Sequence, residues 1–228
     1  RKHYCDVYPN QNIINQKDII KVKKKLHKQK CLLGPKYALL DKKFYFYHNK
    51  KKENIIFKKV LISFGGSDKE NFTNLVLKTL AQKKYTDLEI NVILGKYYKY
   101  FKELSKKYNL NKNIKISKNL PSLAKLIYKS DLSIGAGGTT SWERLCLSNP
   151  AIVFCISENQ KKIIIDLKKD INTQFSKSKN IHIFPISALK NKDVSKLKNF
   201  INALSKNVNI SLSTSKINEW IKKVTSDY

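Results

Sequence analysis

The segment LSIGAGGTTSWE, residues 132–143, predicts a strand, a Gly-rich loop and a helix in immediate succession. Leu132–Ile134 is an apolar run of strand length, and Thr140–Leu147 has the spacing of a helix. The three glycines between them allow a ligand to approach the backbone closely, and free N–H groups of a first helical turn attract an anion. Neighbouring hydroxyls add donors. The segment therefore predicts a diphosphate-binding loop at the carboxyl end of a strand.

The same alternation of short apolar runs with helical patterns continues on both sides of this segment, from Val60 onward. Six strands are predicted, at Val60–Phe64, Ile90–Leu94, Ile114–Ile116, Leu132–Ile134, Ala151–Cys155 and Ile181–Phe184. Helices are predicted at Phe72–Lys83, Tyr97–Tyr108, Ser122–Lys129, Thr140–Leu147, Gln160–Lys169 and Lys192–Leu204. Such alternation predicts an α/β fold with a doubly wound parallel sheet, a Rossmann-like domain whose sites lie at the carboxyl ends of the strands.

The chain of 228 residues is long enough for one such domain and part of a second. We predict residues 1–46 as the remnant of an N-terminal domain and the Lys-rich residues 47–59 as a linker. Residues 60–208 are predicted to form the sheet domain, and 209–228 a tail that docks as a short helix. The sequence starts at Arg1 and lacks Met, which suggests a start inside a longer gene product. No apolar run approaches the ~20 residues of a membrane-spanning helix, so we expect a soluble protein with no membrane partner.

The net charge of +29 would ordinarily indicate a nucleic-acid partner. However, Arg1 and Arg144 are the only arginines among 46 basic side chains, which leaves 44 lysines. Recognition of bases and phosphates depends heavily on the planar fork of arginine. The lysine excess is typical of AT-rich codon usage and of solvated faces. We therefore expect nonspecific adhesion to polyanions at low salt, but no specific nucleic-acid partner.

The four cysteines, Cys5, Cys31, Cys146 and Cys155, are scattered along the chain. None belongs to a C-x-x-C pair, and no histidine stands at the spacing of a metal site. This pattern predicts reduced thiols in a cytoplasmic protein, with no metal and no cofactor.

Two further loops follow predicted strands. FGGSD, residues 64–68, precedes a helix, so its glycines can bring backbone amides close to a phosphate at the positive end of the helix dipole. It fits equally well a tight turn in which Ser67 or Asp68 caps the helix. Asn119-Leu120-Pro121 can present backbone groups to a base edge, although an ordinary turn is the alternative.

Glu143 stands in the first turns of the helix that follows the central Gly-rich loop. A carboxylate there can accept two hydrogen bonds from a ribose diol. Its alternatives are to complement the helix dipole or to form a capping box with Thr140. Glu158-Asn159-Gln160 follows the next strand, where its amides can pair with sugar hydroxyls or an acetamido group, or form an ordinary loop with an N-cap.

Four motifs in this order closely resemble the UDP-sugar hydrolases of pseudaminic acid biosynthesis. The motifs are LLGPKYALL (residues 32–40), LISFGGSD (61–68), GAGGTTSWER (135–144) and NQ (159–160). The resemblance extends from Arg1 to about Leu204. Enzymes of that family remove UDP from UDP-2,4-diacetamido-2,4,6-trideoxy-β-L-altropyranose. They share the two-domain GT-B fold of the glycosyltransferase that attaches N-acetylglucosamine during peptidoglycan synthesis.

The resemblance implies a GT-B-like fold in which the C-terminal domain is complete and the N-terminal domain is partial. It implies a UDP-sugar substrate and the following binding residues: Gly137, Gly138 and Thr139 for the diphosphate, Glu143 for the ribose, the Leu120 backbone for uracil, Asn159 and Gln160 for the sugar, and Gly65, Gly66 and Ser67 along the crevice between lobes. Helix N-termini would neutralise the diphosphate, so no metal would be needed.

In that family the catalytic base is thought to be a histidine on a Gly-rich loop of the first domain, and no matching loop is found in this sequence. His3, His27, His48 and His182 lack the context of that loop. Arg1 resembles a point deep inside the family's first domain, with about 100 residues missing. His3 and the NQN run at 10–12 are interpreted as structural. We therefore expect a monomer that binds a UDP-sugar better than it turns it over, with the base on a missing N-terminal segment.

Two other functions stay open. A GT-B glycosyltransferase would use the same Glu143 crevice but pass the sugar to an acceptor instead of water. A basic protein that binds nucleic acid or another polyanion is supported by charge alone, and its affinity would fall by orders of magnitude at high salt.

Overall fold

The computed structural model of this chain describes residues 5–12, 14, 16–50, 58–156, 160, 165 and 186–187. These residues belong to two compact units. Described residues 5–40 and 165 lie in the first unit, and residues 41–156, 160, 186 and 187 lie in the second.

The first unit contains a small parallel βαβ arrangement. Strand β1 (Val7–Asn10) pairs with β2 (Lys30–Leu33), and helix α1 (Gln16–Lys25) connects them. Parallel neighbours require such a crossover, because a tight hairpin can join only antiparallel strands. After β2, Gly34 has φ 101° and leads into a short 3-10 helix at Pro35–Tyr37. Asn10 Oδ1 accepts a hydrogen bond from the amide of Asn12 at 3.1 Å.

The second unit is built on a six-stranded parallel sheet with the order β5-β4-β3-β6-β7-β8. Its strands are β3 (Lys59–Ser63), β4 (Glu89–Leu94), β5 (Ile114–Lys118), β6 (Leu132–Ala136), β7 (Ala151–Cys155) and β8 (Ile186–Ser187). The predicted doubly wound α/β fold is thereby confirmed. The sixth predicted strand, Ile181–Phe184, lies outside the described residues.

Five described helices accompany this sheet: α2 (Lys42–His48), α3 (Phe72–Leu80), α4 (Phe101–Tyr108), α5 (Ala124–Lys129) and α6 (Thr140–Cys146). Helix α4 starts four residues later than predicted, because the amides of Tyr97 and Tyr98 donate to the carbonyls of Gly66 and Gly95 in a turn. The predicted helices at 192–204 and in the tail lie outside the described residues. So does the helix predicted at 160–169, except for positions 160 and 165.

The core of the second unit lies on the central strands. Val60, Ile62, Val92 and Ile134 are each at most 1% exposed. Continuous apolar runs of this kind are expected where helices cover both faces of a parallel sheet. The buried strands hold the sheet together, and the loops that follow them therefore start at defined positions along its carboxyl end.

Helix α2 belongs to the second unit. Its Phe44 is 1% exposed, and the rings of Tyr47 and Tyr128 of α5 lie 5.1 Å apart. His48 Nδ1 lies 2.6 Å from the carbonyl oxygen of Cys146, at the end of α6. The division between the units thus falls between Leu40 and Asp41, ahead of the predicted end of the N-terminal remnant at residue 46. The assignment of the predicted ranges as remnant, linker, sheet domain and tail stays a prediction.

The strand order reverses between β3 and β6. From β3 the chain proceeds outward through β4 to β5, and from β6 it proceeds through β7 to β8 on the other side. In open α/β sheets a ligand crevice forms at such a switch point, outside the carboxyl ends of the strands. The loops after β3 and β6 are those predicted to bind the diphosphate and line the crevice.

Candidate functional site

Two Gly-rich loops start side by side at the switch point. Ser63 at the end of β3 is paired with Gly135 of β6, so the loop at 65–67 and the loop at 137–139 leave neighbouring strands at the same edge of the sheet. Gly137 is buried, Gly138 is half-buried and Thr139 is exposed. The backbone of the second loop therefore rises from the sheet toward solvent.

The N-terminus of α6 has open donors. Its N-cap residue, Thr139, makes no side-chain capping hydrogen bond. The amide of Gly137 donates to Phe154 O at 3.0 Å, and those of Ser141 and Trp142 donate to the carbonyls of Gly138 and Thr139. Among the described residues, the amides of Gly138, Thr139 and Thr140 make no hydrogen bond. These three donors and the helix dipole can receive an anion.

The capping box that the sequence allowed at Thr140 is not formed. The helix begins at Thr140, so the N-cap position falls on Thr139. A reciprocal bond between Thr140 and Glu143 would require Thr140 itself to be the N-cap. Glu143 is consequently not committed to closing the helix N-terminus.

The N-terminus of α3 differs, because it already holds an anion. The Asp68 carboxylate accepts hydrogen bonds from the amides of Phe72 and Thr73, each at 2.9 Å, and Asp68 is 5% exposed. The Asp68 side chain thus binds the first two amides of α3, although Asn71 and not Asp68 holds the N-cap position, and a phosphate cannot use those two amides. Gly65, with φ 83°, and Gly66 and Ser67 instead form the turn between β3 and this capped helix. Their contact with a ligand stays a prediction.

Gly95, which was not among the predicted site residues, packs against the loop at 65–67. A Cβ atom at Gly95 would overlap the carbonyl oxygens of Gly65 and Gly66. The amide of Tyr97 also donates to Gly66 O at 3.0 Å. The sequence shows only that Gly95 directly follows a predicted strand. Its close packing against the loop at 65–67 is seen only in the folded structure.

Gln160 lies beside the second loop. Its Oε1 accepts a hydrogen bond from the amide of Ile156 at 3.2 Å. A Cβ built on Gly138 would lie 3.7 Å from Gln160 Nε2. The amide nitrogen of Gln160 is therefore a neighbour of the candidate anion site. Asn159 lies outside the described residues.

Leu120 lies farther away along the same edge of the sheet. It follows β5, an edge strand, and its side chain is 40% exposed. The preceding Asn119 has φ 54° and donates from its amide to Leu94 O at 2.8 Å, which holds the loop against the end of β4. Three strand spacings, about 14 Å, separate the ends of β5 and β6. A contact of the Leu120 backbone with a base stays a prediction.

Glu143 is half-buried one turn into α6. Burial raises the pKa of its carboxyl, the adjacent Arg144 charge opposes this shift, and the carboxylate of Asp41 adds to it. A carboxylate that is partly removed from water gains more from an incoming hydrogen-bond donor than a solvated one does. This environment suits a carboxylate that is to accept ligand hydroxyls.

Arg144, to which the sequence analysis assigned no role of its own, is a buried cation at the site. It is 2% exposed, and its Nη1 donates to Ala136 O at 3.0 Å and its Nη2 to Ser63 O at 3.4 Å. These carbonyls belong to the last residues of β6 and β3. One guanidinium thus connects the two strands from which the two loops start.

The floor of this edge is aromatic. The rings of Phe64 and Phe154 meet edge to face with centroids 5.2 Å apart, and Phe72 lies 5.8 Å from Phe64. Phe154 is 1% exposed. The loops therefore start from a buried, apolar base, in which electrostatic interactions are less screened than in water.

No group of three or more His, Cys, Asp or Glu in the described part of the chain could hold a metal ion. No helix among the described residues is both long and apolar enough to cross a membrane. Of the four histidines only His27 and His48 are described, and His48 contacts the Cys146 carbonyl. His3 and His182 lie outside the described residues.

Comparison with known sequences finds similarity over part of this chain. The family described as "Glycosyltransferase family 28 C-terminal domain" matches residues 60–166. A protein of Methanocaldococcus jannaschii, "Uncharacterized protein MJ1062", is 35% identical over 178 residues, which cover 74% of this chain and 36% of that protein. The chain thus spans about a third of the length of this curated relative.

Solved structures support the same fold. The pneumococcal O-GlcNAc transferase GtfA in complex with UDP and GlcNAc has a TM-score of 0.55 at 14% identity, over 97% of this chain and 45% of that one. A GtfA/B complex has a TM-score of 0.54 at 15% identity, over 98% of this chain and 42% of that one. Identities this low show the fold alone. Together these matches support a GT-B glycosyltransferase-like fold.

Proposed function

From this GT-B-like fold we propose that the chain is the nucleotide-sugar-binding half of an enzyme that acts on a UDP-linked amino sugar. The observation that carries the proposal is the N-terminus of α6 at the switch point, where the amides of Gly138, Thr139 and Thr140 have no hydrogen-bond acceptor among the residues that the structure describes. A diphosphate is the anion proposed there, because glycines let its oxygens reach the backbone.

The other predicted residues extend this site to a whole nucleotide sugar. Glu143 is proposed to accept hydrogen bonds from the two ribose hydroxyls, which its half-buried carboxylate would bind with less competition from bulk water than an exposed one. The Leu120 backbone is proposed to meet uracil, and Gly65, Gly66 and Ser67 to line the crevice. Asn159 and Gln160 are proposed for the sugar, where an amide can both donate to and accept from an acetamido group.

The finer proposal is hydrolysis of a UDP-diacetamido-trideoxyhexose, as the motif resemblance implies. Water would attack the anomeric carbon, the bond from that carbon to the diphosphate oxygen would break, and UDP would leave with the bonding electrons. The α6 amides would stabilise the charge that develops on the leaving diphosphate, in place of a metal ion. Since the chain spans only part of its relatives, we assign the general base to residues outside these 228.

The second candidate is a glycosyltransferase, in which an acceptor hydroxyl replaces the water. The family description matched by residues 60–166 and the O-GlcNAc transferase fold favour it. Both candidates use the same nucleotide site, so they differ in the fate of the sugar and not in the binding of UDP.

Titration of this chain with UDP, UMP and uridine tests the shared part of the proposal. We expect affinity to rise with each phosphate and to depend only mildly on salt, since few charges are neutralised. Equal affinity for all three ligands would contradict a diphosphate site. A loss of several orders of magnitude between about 50 and 200 mM salt would favour the polyanion-binding alternative instead.

Product analysis with the full-length protein separates the two candidates. Incubation with a UDP-diacetamido sugar is expected to give UDP and free sugar in equal amounts without an added acceptor. Release of UDP only when an acceptor is present, with the sugar attached to it, would assign the glycosyltransferase reaction. Glu89→Ala, which removes a carboxylate from the amino end of β4 at the opposite edge of the sheet, is expected to give the same products as the unaltered protein.

A further inference from the structure

The charge of Arg144 is not compensated by its hydrogen-bond partners. Both partners of the guanidinium are neutral backbone carbonyls, and within the described ranges its Nε has none. Burial lowers the pKa of Arg144 to about 10, while the Glu143 charge opposes that shift, so the side chain stays cationic at neutral pH. A buried cation without a direct counterion is costly to fold. Such a group is favoured where an anion arrives to balance it.

The sequence supports a requirement for arginine at this position. This chain uses lysine for all but two of its 46 basic residues, and the other arginine is the first residue. A lysine presents a single point charge, whereas the planar guanidinium can donate to Ser63 O and Ala136 O at the same time. The arginine of this chain thus stands where its two donors join two strand ends.

Gly135 makes room for this arrangement. A Cβ atom at position 135 would overlap the Ser63 carbonyl and approach Nη2 of Arg144. The missing side chain leaves the space in which the guanidinium crosses from β6 to β3. Gly135 and Arg144 thus form one built feature directly beneath the two loops.

We propose that Arg144 is the positioning residue of the crevice. It fixes the spacing of the loops at 65–67 and 137–139, and its buried charge strengthens the binding of a diphosphate on the second loop. The residue acts through the loops and through its electric field, without contact to the ligand. This inference rests on the proposed diphosphate site and names the group that tunes it.

The test compares Arg144→Met, Arg144→Lys and a charge-matched control, Lys106→Met, which removes an exposed cation from α4. Each folded protein is titrated by calorimetry with inorganic pyrophosphate, UDP and uridine. Arg144→Met is expected to weaken pyrophosphate and UDP by about tenfold or more, and uridine by less than about twofold. Lys106→Met is expected to leave all three unchanged.

Arg144→Lys keeps the charge but loses the bridge. It is expected to retain most of the pyrophosphate affinity while amide hydrogen exchange at 65–67 and 137–139 becomes faster. If Arg144→Met does not fold, this variant and its exchange pattern carry the test. Unchanged exchange in Arg144→Lys would then overturn the positioning role.

The outcomes separate this inference from the proposed function. If Arg144→Met weakens the binding of UDP and uridine equally, or weakens neither, the proposed role of Arg144 is overturned. UDP binding by the unaltered chain would still support the proposed nucleotide function. If pyrophosphate binding depends on Arg144 but UDP binds no better than pyrophosphate, the proposed role of Arg144 stands and the proposed nucleotide function is overturned. An unaltered chain that binds neither would overturn both.

Discussion

Asp68 tests which helix N-terminus of the crevice is open to an anion. Asp68→Ala removes two hydrogen bonds of 2.9 Å and leaves the amides of Phe72 and Thr73 unpaired in a buried setting. A single cap contributes about 0.5–2 kcal/mol, and bonds to a charged acceptor lie at the upper end. We therefore expect the free energy of unfolding to fall by about 2–3 kcal/mol. For a chain of this size that corresponds to a Tm lower by roughly 4–12 °C.

Urea denaturation measures this loss, and Asp41→Ala is the matched control. Asp41 caps α2 through one exposed bond, from the Lys43 amide at 2.8 Å, so its loss should cost less than about 1 kcal/mol. UDP affinity of Asp68→Ala should stay unchanged, because the open amides belong to α6. The reasoning is refuted if Asp68→Ala costs no more than Asp41→Ala, or if the folded variant loses UDP affinity by about tenfold or more.

Three further predictions concern other residues of the second unit. Gly95→Ala should cost about 1–3 kcal/mol in urea denaturation, because its methyl would meet the backbone of Gly66, and a loss below about 0.5 kcal/mol would contradict the tight approach. Asn149→Ala should cost about 3 kcal/mol, because its buried side-chain amide accepts a hydrogen bond from Ser133 Oγ and donates to the carbonyls of Ile127 in α5 and Ser130 just after it; a loss near zero would show that these bonds are replaced by water. Because burial raises the pKa of Glu143, UDP affinity should start to fall on acidification at a higher pH than for an ordinary glutamate. Because the pKa of Glu143 is raised in the folded state, its protonated form favours folding; this contribution is fully present below the unfolded-state pKa and is lost as the pH rises through the folded-state pKa. Glu143→Gln should flatten the pH profiles of UDP affinity and of stability, and unchanged profiles would exclude Glu143 as their source.

The sheet could be predicted from the sequence because its strands are local apolar runs. Buried parallel strands need apolar residues on both faces, so runs such as Ala151–Cys155 stand out without knowledge of their partners. The predicted start of α4 was wrong because the true start depends on a contact between residues far apart in the sequence. Tyr97 fits the helical spacing, but its amide bonds Gly66, a residue of another loop, and that contact has no local signal.

The same division applies to the site. The loop at 137–139 was predictable because its glycines and hydroxyls lie within a few residues of each other. The alternatives at Asp68 could not be separated by sequence, since a phosphate loop and a carboxylate cap use the same residue types. The role of Arg144 was missed, because Ser63, which accepts its bond, is 81 residues away along the chain.

Calorimetric titration of this chain with UDP at moderate salt, beside Glu143→Ala and the control Glu89→Ala, tests the central claim most directly. A carboxylate that accepts both ribose hydroxyls contributes about 2 kcal/mol, so Glu143→Ala should weaken UDP by about thirtyfold and Glu89→Ala by less than about twofold. Absence of UDP binding, or binding that is indifferent to Glu143, would contradict a nucleotide-sugar site at the switch point of this sheet.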